Sequence, residues 1–229
     1  MQLAKQHIDI GLFAVDIDAQ LAFWKGRVGL PYDHAAKFGG GVLQHRFHAH
    51  GSIVKVNHSR HALAPSGPSG LTGLRIACAG AQAAVQLHDP DGNHVALVPF
   101  GEHGVTGIGI DLRVRNRDAH AHFWRHVMQF DSPVPGVYVC GDSRIFVTEE
   151  PEMEPGPGGS WRGYGWRYLT VQVLDCQAEH QAILDRGGIE GEPVRSMGEV
   201  AVVSFVRDPD GNFIEISQRA SLVNRITSG

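Results

Sequence analysis

The chain repeats itself, and the repeat limits the fold more than any other feature of the sequence. Residues Ala19-Gln20-Leu21-Ala22-Phe23-Trp24 return one hundred positions later as Ala119-His120-Ala121-His122-Phe123-Trp124. Each copy follows an alternating apolar stretch, Ile8 to Val15 and Ile108 to Val114, which has the period of a strand. The apolar residues then switch to helical spacing, as Leu21, Trp24 and Val28 and as Ala121, Trp124 and Met128. Asp18 and Asp118 stand where an acid caps or charge-stabilises a first turn, and Gly29 where a helix ends. His120, His122 and His126 share no single helix face and are expected at the surface.

A second repeat is as clear. Asp89-Pro90-Asp91-Gly92-Asn93 recurs as Asp208-Pro209-Asp210-Gly211-Asn212, each copy between apolar runs. Proline second and glycine fourth suit a type I turn that runs into a glycine bulge, so both copies predict hairpins. The chain therefore has four units, about 5–60, 70–100, 105–150 and 164–218. Each reads strand, helix and further strands, except that the second has almost no room for a helix. Two Pro/Gly/Ser linkers, Ala64 to Gly70 and Pro155 to Ser160, lie between units. Trp161, Tyr164 and Trp166 flank the second, set either to cap an apolar ligand or to pack the linker down.

Composition narrows the function classes. Lys and Arg number 20 against 24 Asp and Glu, so there is no basic excess for nucleic acid. No run approaches the roughly 18–20 apolar residues of a membrane span. The N-terminus lacks the apolar core of a signal peptide, so a cytoplasmic protein is expected. Cys78, Cys140 and Cys176 are odd in number and form no C-x-x-C pair, which argues against a disulfide framework and a thiolate zinc site. Histidine is abundant, 14 in 229, which fits metal binding or a compositional bias equally.

Tandem βαβββ units with Asp-Pro-Asp-Gly-Asn hairpins resemble the vicinal-oxygen-chelate superfamily, the group of glyoxalase, bleomycin-resistance protein and extradiol dioxygenase. The stretches that carry the resemblance are Ile8 to Leu30, with Phe23-Trp24 and Gly29-Leu30-Pro31, and Val203 to Ile216, with Asp208 to Glu215. It spans residues 7 to 218 and implies an α+β fold: tandem βαβββ modules forming two glyoxalase-like half-barrel domains, expected at 1–103 and 104–229. Paired modules would curl around an internal cup. The resemblance also implies that metal ligands come from the start of the first strand and from the last strand of each paired unit. Those positions hold Asp9 and Lys55 in unit one and Tyr168 and Glu215 in unit four. Unit two offers Leu71 and Ala96, and unit three Gly109 and Val147. Pairing units one and four gathers every polar candidate, so one working cup and one degenerate cup are expected.

The gathered residues suggest chemistry. A carboxylate and an ammonium in one cup favour each other's charged forms. Glu215 suits a general base, and Lys55 a group that stabilises an enolate oxygen. Tyr168 suits a hydrogen-bond donor or proton shuttle, and Asp9 a second acid/base or a partner of Lys55. The alternative is a buried ion pair in a dead cup. On a neighbouring strand, alternation puts Gln44, Arg46 and His48 on one face and His45 and Phe47 on the other. Gln44, His45, Arg46 and Asn57 are the substrate-binding candidates, with Arg46 the natural partner of a carboxylate.

A divalent metal at a displaced site of His7, His45, His58 and Glu215 is the alternative to a metal-free cup. The expected function is a glyoxalase-like isomerase or lyase acting by proton transfer on a small carbonyl or carboxylate compound. The alternative is a non-catalytic binding protein of the bleomycin-resistance type. An extradiol dioxygenase would need two histidines and a glutamate, and Gly109 and Tyr168 stand where the histidines belong. The expected partner is a small molecule, with no nucleic acid and no membrane, and the chain a monomer or homodimer.

Overall fold

The computed structural model describes residues 1–154 and 156–226, with backbone alone for 224–226. Module one comprises β1 (Leu3–Ala14), α1 (Ile17–Ala22), β2 (Tyr32–Gly39), β3 (Val42–Ala49) and β4 (Ser52–Ser59). Module two has β5 (Leu71–Cys78), β6 (Val85–His88) and β7 (His94–Pro99), with no helix between its first two strands. Module three is β8 (Ile108–Val114), α2 (Arg117–His122), β9 (Asp131–Val134), β10 (Val137–Cys140) and β11 (Ser143–Glu149). Module four is β12 (Gly165–Val173), α3 (Cys176–Asp185), β13 (Ile189–Ser196), β14 (Ala201–Arg207) and β15 (Phe213–Arg219), followed by α4 (Ala220–Ile226).

The strands form two sheets. One runs β13-β14-β15-β12-β1-β4-β3-β2 and joins module four to module one. The other runs β6-β7-β5-β8-β11-β10-β9 and joins module two to module three. The seams are antiparallel: Asp9 faces Thr170 across one, and Arg75 faces Gly109 across the other. Residues 1–103 and 104–229 therefore each give one module to each sheet. A shared apolar core lies between the sheets and helices, from Ile8, Ile10 and Trp24 through Leu74 and Ile110 to Trp124, Val171 and Ile216. Among the described residues no helix is long and apolar enough to cross a membrane.

The repeated segments fold alike for the same local reasons. Asp16 and Asn116 cap α1 and α2 by accepting from the backbone N–H groups of Ala19 and Ala119. The caps thus lie two residues before Asp18 and Asp118, which sit in the first turns and favour the helix dipole there. Both helices widen into a π-turn, Phe23–Arg27 and Phe123–Val127, which buries the Phe-Trp pair of each copy. Gly29 takes φ +77° just after the first.

Both Asp-Pro-Asp-Gly-Asn copies make the expected hairpins. Asp89 Oδ1 accepts from the N–H groups of Asp91 and Asn93, and Asp208 Oδ1 from those of Asp210 and Asn212. Gly92 and Gly211 both take φ +85°, the bulge conformation only glycine adopts without strain.

Each hairpin clasps the helix of the preceding module. Gln20 Nε2 donates to Asp89 at 2.8 Å and to Asp91 at 3.0 Å, and Gln20 Oε1 accepts from Trp24 Nε1 at 2.8 Å. At the matching place His120 Nε2 lies 3.0 Å from Asp210 Oδ2, and its ring is fully buried. His120 is therefore no surface residue: its partner comes from a hairpin ninety residues on, which helical periodicity does not reveal. His122 and His126 are exposed as expected.

The cup of modules two and three is filled. Phe146 and Val105 pack there with Ala77, Ala96 and Val98, and Arg75 lies over the Phe146 ring while it pairs with Asp111. Phe146, not Val147, faces this cup. The register opposes Asp111 to Phe146, and Val147 turns to the main core.

Candidate functional site

The cup of modules one and four keeps a cavity of about 90 Å3, lined by Gln44, Arg46, Lys55, Glu215, Ser217 and Arg219 together with apolar side chains of β14. Lys55 and Glu215 are each only 2% exposed. Lys55 Nζ donates to Glu215 Oε2 and to Thr170 Oγ1, both at 2.6 Å, and Thr170 Oγ1 donates to the same carboxylate oxygen at 2.6 Å. Both bonds to the carboxylate fall on Oε2, which leaves Oε1 without a hydrogen bond among the described residues. Burial pushes the Lys55 ammonium down from the usual lysine range, against the pull of Glu215 and Asp9.

Four of the eight sequence candidates, Lys55, Glu215, Gln44 and Arg46, line the cavity. Tyr168, Asp9 and Asn57 belong to the same network but stand behind it. The Tyr168 hydroxyl accepts from Gln44 Nε2 at 3.2 Å and Asn57 Nδ2 at 3.1 Å. Its ring packs against Trp161 and Phe205. Burial raises the Tyr168 phenol, with the Glu215 charge next, so it stays neutral. The ring fits only because Gly11 has no side chain: a Cβ there would lie 2.2 Å from Tyr168 Cζ.

Asp9 accepts from Lys5 Nζ at 2.6 Å, from the Ile53 N–H at 2.8 Å and from Gln172 Nε2 at 3.2 Å. Burial alone would raise its carboxyl, yet Lys5, then Lys55 and Arg46, hold it below the usual range. His45 departs from the expected set. It turns to the opposite face of β3, where Nδ1 lies 3.2 Å from the Tyr32 hydroxyl. Strand alternation allows only one of Gln44 and His45 to enter the cup.

Trp161 explains why Tyr168 lies back from the cavity. It comes from the second glycine linker, whose Pro155 lies outside the described residues, and is 1% exposed. Its indole stacks on Phe205 and meets Phe13, Phe38 and Tyr168, filling one end of the cup. Arg167 holds the linker down by donating to the carbonyls of Gly67, Ser160 and Trp161. Trp161 and Trp166 thus pack inward, while Tyr164 is half exposed. No position in the βαβββ repeat corresponds to Trp161, so the repeat could not assign it to the cup.

The metal alternative meets a poor donor set. Among the described residues no three His, Cys, Asp or Glu side chains converge on one point. His7 Nδ1 lies 2.5 Å from Asp142, away from His45 and Glu215. At the four positions implied by the resemblance, a charged lysine already donates to the only glutamate, and a neutral phenol replaces a histidine. These residues do not fit a divalent cation.

No protein-family model matches the chain, and no curated protein is similar to it in sequence. Solved structures are. Glyoxalase I from Zea mays superposes with a TM-score of 0.73 at 12% identity, over 97% of this chain and 96% of that one. A candidate dioxygenase from Bacillus subtilis superposes with a TM-score of 0.68 at 16% identity, over 95% and 86%. The chain has the glyoxalase-like fold of tandem half-barrel modules. At these identities the likeness shows the fold and no particular reaction.

Proposed function

We propose that the cup of modules one and four carries out proton transfer on a small carbonyl or carboxylate compound, as an isomerase or lyase that uses Lys55 in place of a metal. The observation that carries this reading is the buried Lys55–Glu215 pair at 2.6 Å on the wall of the cavity between modules one and four. Glu215 Oε1 removes a proton from the carbon next to a carbonyl. The electron pair of that C–H bond moves into the carbonyl and forms an enolate. Lys55 uses one N–H on Glu215 and one on Thr170, and its third N–H faces the enolate oxygen. Return of the proton to the other face of the same carbon re-forms the carbonyl and gives the epimer, and expulsion of a leaving group from the next carbon along, with the carbonyl re-formed and a C=C bond made, gives the lyase outcome. Tyr168, Asn57 and Gln44 act as positioning residues that hold Arg46, and Asp9 fixes the strand next to Lys55.

A cavity of about 90 Å3 lies far below the ~300–1,000 Å3 of drug-sized sites, which weighs against a sequestering protein for large antibiotics. The test is exchange of substrate C–H protons with deuterated water, followed by NMR on a panel of small ketones and 2-oxo acids. Wild type is expected to catalyse exchange, and Glu215→Gln to lose at least ~100-fold, the range of a removed general base. Equal exchange by wild type and Glu215→Gln would end this reading. Ligand binding without exchange by either protein would leave a binding module instead.

A further inference from the structure

Charge accounting in the cup leaves two guanidinium groups over. Asp9 is matched by Lys5, and Glu215 by Lys55. Arg46 and Arg219 remain, both on the cavity wall. Arg46 is 5% exposed; one of its terminal nitrogens donates to Gln44 Oε1 at 2.9 Å, and its Nε is buried with no hydrogen-bond partner. The carboxylate near it, Asp33, is 3.9 Å from Nε at the rim and also faces His34 at 3.0 Å and His48 at 3.8 Å. Arg219 stands two residues beyond Ser217 and four beyond Glu215 on β15, on the same face. Its guanidinium makes no hydrogen bond or salt bridge among the described residues.

Two like charges converging in a concave space repel each other, and the carboxylates near them are shared: Asp9 with Lys5, Glu215 with Lys55, and Asp33, 3.9 Å from Arg46, with two histidines. Burial, then Arg46, push the Arg219 guanidinium down from its usual range, against the pull of Asp9, Glu215 and Asp33. An anion between them removes both penalties, and the planar fork of guanidinium matches a carboxylate. The Ser217 hydroxyl on the same wall supplies a neutral donor beside them.

We infer that Arg46 and Arg219 form an anion subsite that anchors the carboxylate of a small 2-oxo acid, with its carbonyl turned to Lys55 and Glu215. The orientation of the carbonyl rests on the proposed proton transfer; the anion subsite itself rests on two guanidiniums on one cavity wall, neither hydrogen-bonded to a carboxylate among the described residues. The cavity favours a short-chain acid.

Calorimetric titration tests it with pyruvate, its uncharged methyl ester and inorganic phosphate, on wild type, Arg219→Met and Glu215→Gln. Arg219→Met is expected to bind pyruvate at least tenfold more weakly than wild type, and Glu215→Gln, which leaves the Lys55 ammonium without its carboxylate, at least as tightly as wild type. Methyl pyruvate should bind weakly to all three, with no loss in Arg219→Met. Arg46→Met would remove a buried, hydrogen-bonded group and can fail to fold; Arg219, half buried, keeps the test readable, and Arg219→Lys should recover part of the affinity. Equal pyruvate affinity in wild type and Arg219→Met would overturn the subsite, and so would methyl pyruvate binding as tightly as pyruvate. Phosphate binding more tightly than pyruvate would overturn the choice of a carboxylate. Pyruvate binding that depends on Arg219, with no proton exchange in wild type, would keep the subsite and refute the chemistry.

Discussion

Asp9 and Gly11 show how single residues set the cup. Asp9 is held below the usual carboxylate range, so its ion-paired form stabilises the fold above the unfolded pKa of about 3.9. That contribution is lost as pH falls through the lower folded value. Acid unfolding followed by circular dichroism should therefore be shallower below about pH 4 in Asp9→Asn than in wild type, and Asp9→Asn should be less stable at neutral pH. Gly11→Ala drives a methyl group into the Tyr168 ring. Overpacking of this kind costs about 1–3 kcal/mol, which urea unfolding should register as a lower midpoint.

At this scale the sequence was most legible where strand alternation is strict. Lys55, Glu215, Gln44 and Arg46 could be placed from period and family position alone. Arg219 could not, because nothing local marks a strand-end arginine as unmatched. That is visible only when Asp9, Asp33 and Glu215 and their partners have been assigned.

The elements carry a different lesson, drawn from the two clasps. Gln20 serves both a hairpin and Trp24, since an amide donates and accepts. His120 replaces it in the second copy and leaves both its own Nδ1, 3.9 Å from Asp208, and Trp124 Nε1 buried without a hydrogen bond among the described residues. His120→Gln should restore the bond to Trp124 and raise stability by about 1 kcal/mol, measured by thermal or urea unfolding. No gain would mean that the second helix sits too far from its hairpin to use an amide. The hairpins, the strands before the helices and the two repeated helices were readable from the repeats; the caps at Asp16 and Asn116 and the helix α4 were not. The π-turns were not, because Leu21, Trp24 and Val28 fit an α-helix and a locally widened helix almost equally.

For the whole molecule, the deciding fact is that neither half of the sequence owns a sheet. The polar census anticipated the pairing of modules one and four, because buried charges need partners and only that pairing supplies them. Residues 1–103 alone would expose the edge of β1 that meets β12, and β5 would lose β8. Each half expressed separately is expected to stay unfolded by circular dichroism and amide exchange, with structure recovered when the halves are mixed. A stable, cooperative fold of either half alone would count against this view. The filled second cup was legible only as a lack of chemistry; that Phe146 and Val105 occupy it follows from a register one residue away from the expected one.

The pairing of the first module with the last also has a consequence in time. Lys55 and Glu215 stand 160 positions apart in the chain. At ~5–20 residues per second of synthesis, the lysine leaves the ribosome roughly 8–30 seconds before its carboxylate exists. During that interval β1 has no neighbour on one side and the cup has no far wall. Nascent chains arrested before residue 165 should be cut by protease within module one, and full-length chains should resist. The strand that closes the site is β15, so synthesis interrupted between residues 55 and 215 yields a chain that carries the lysine and lacks its partner.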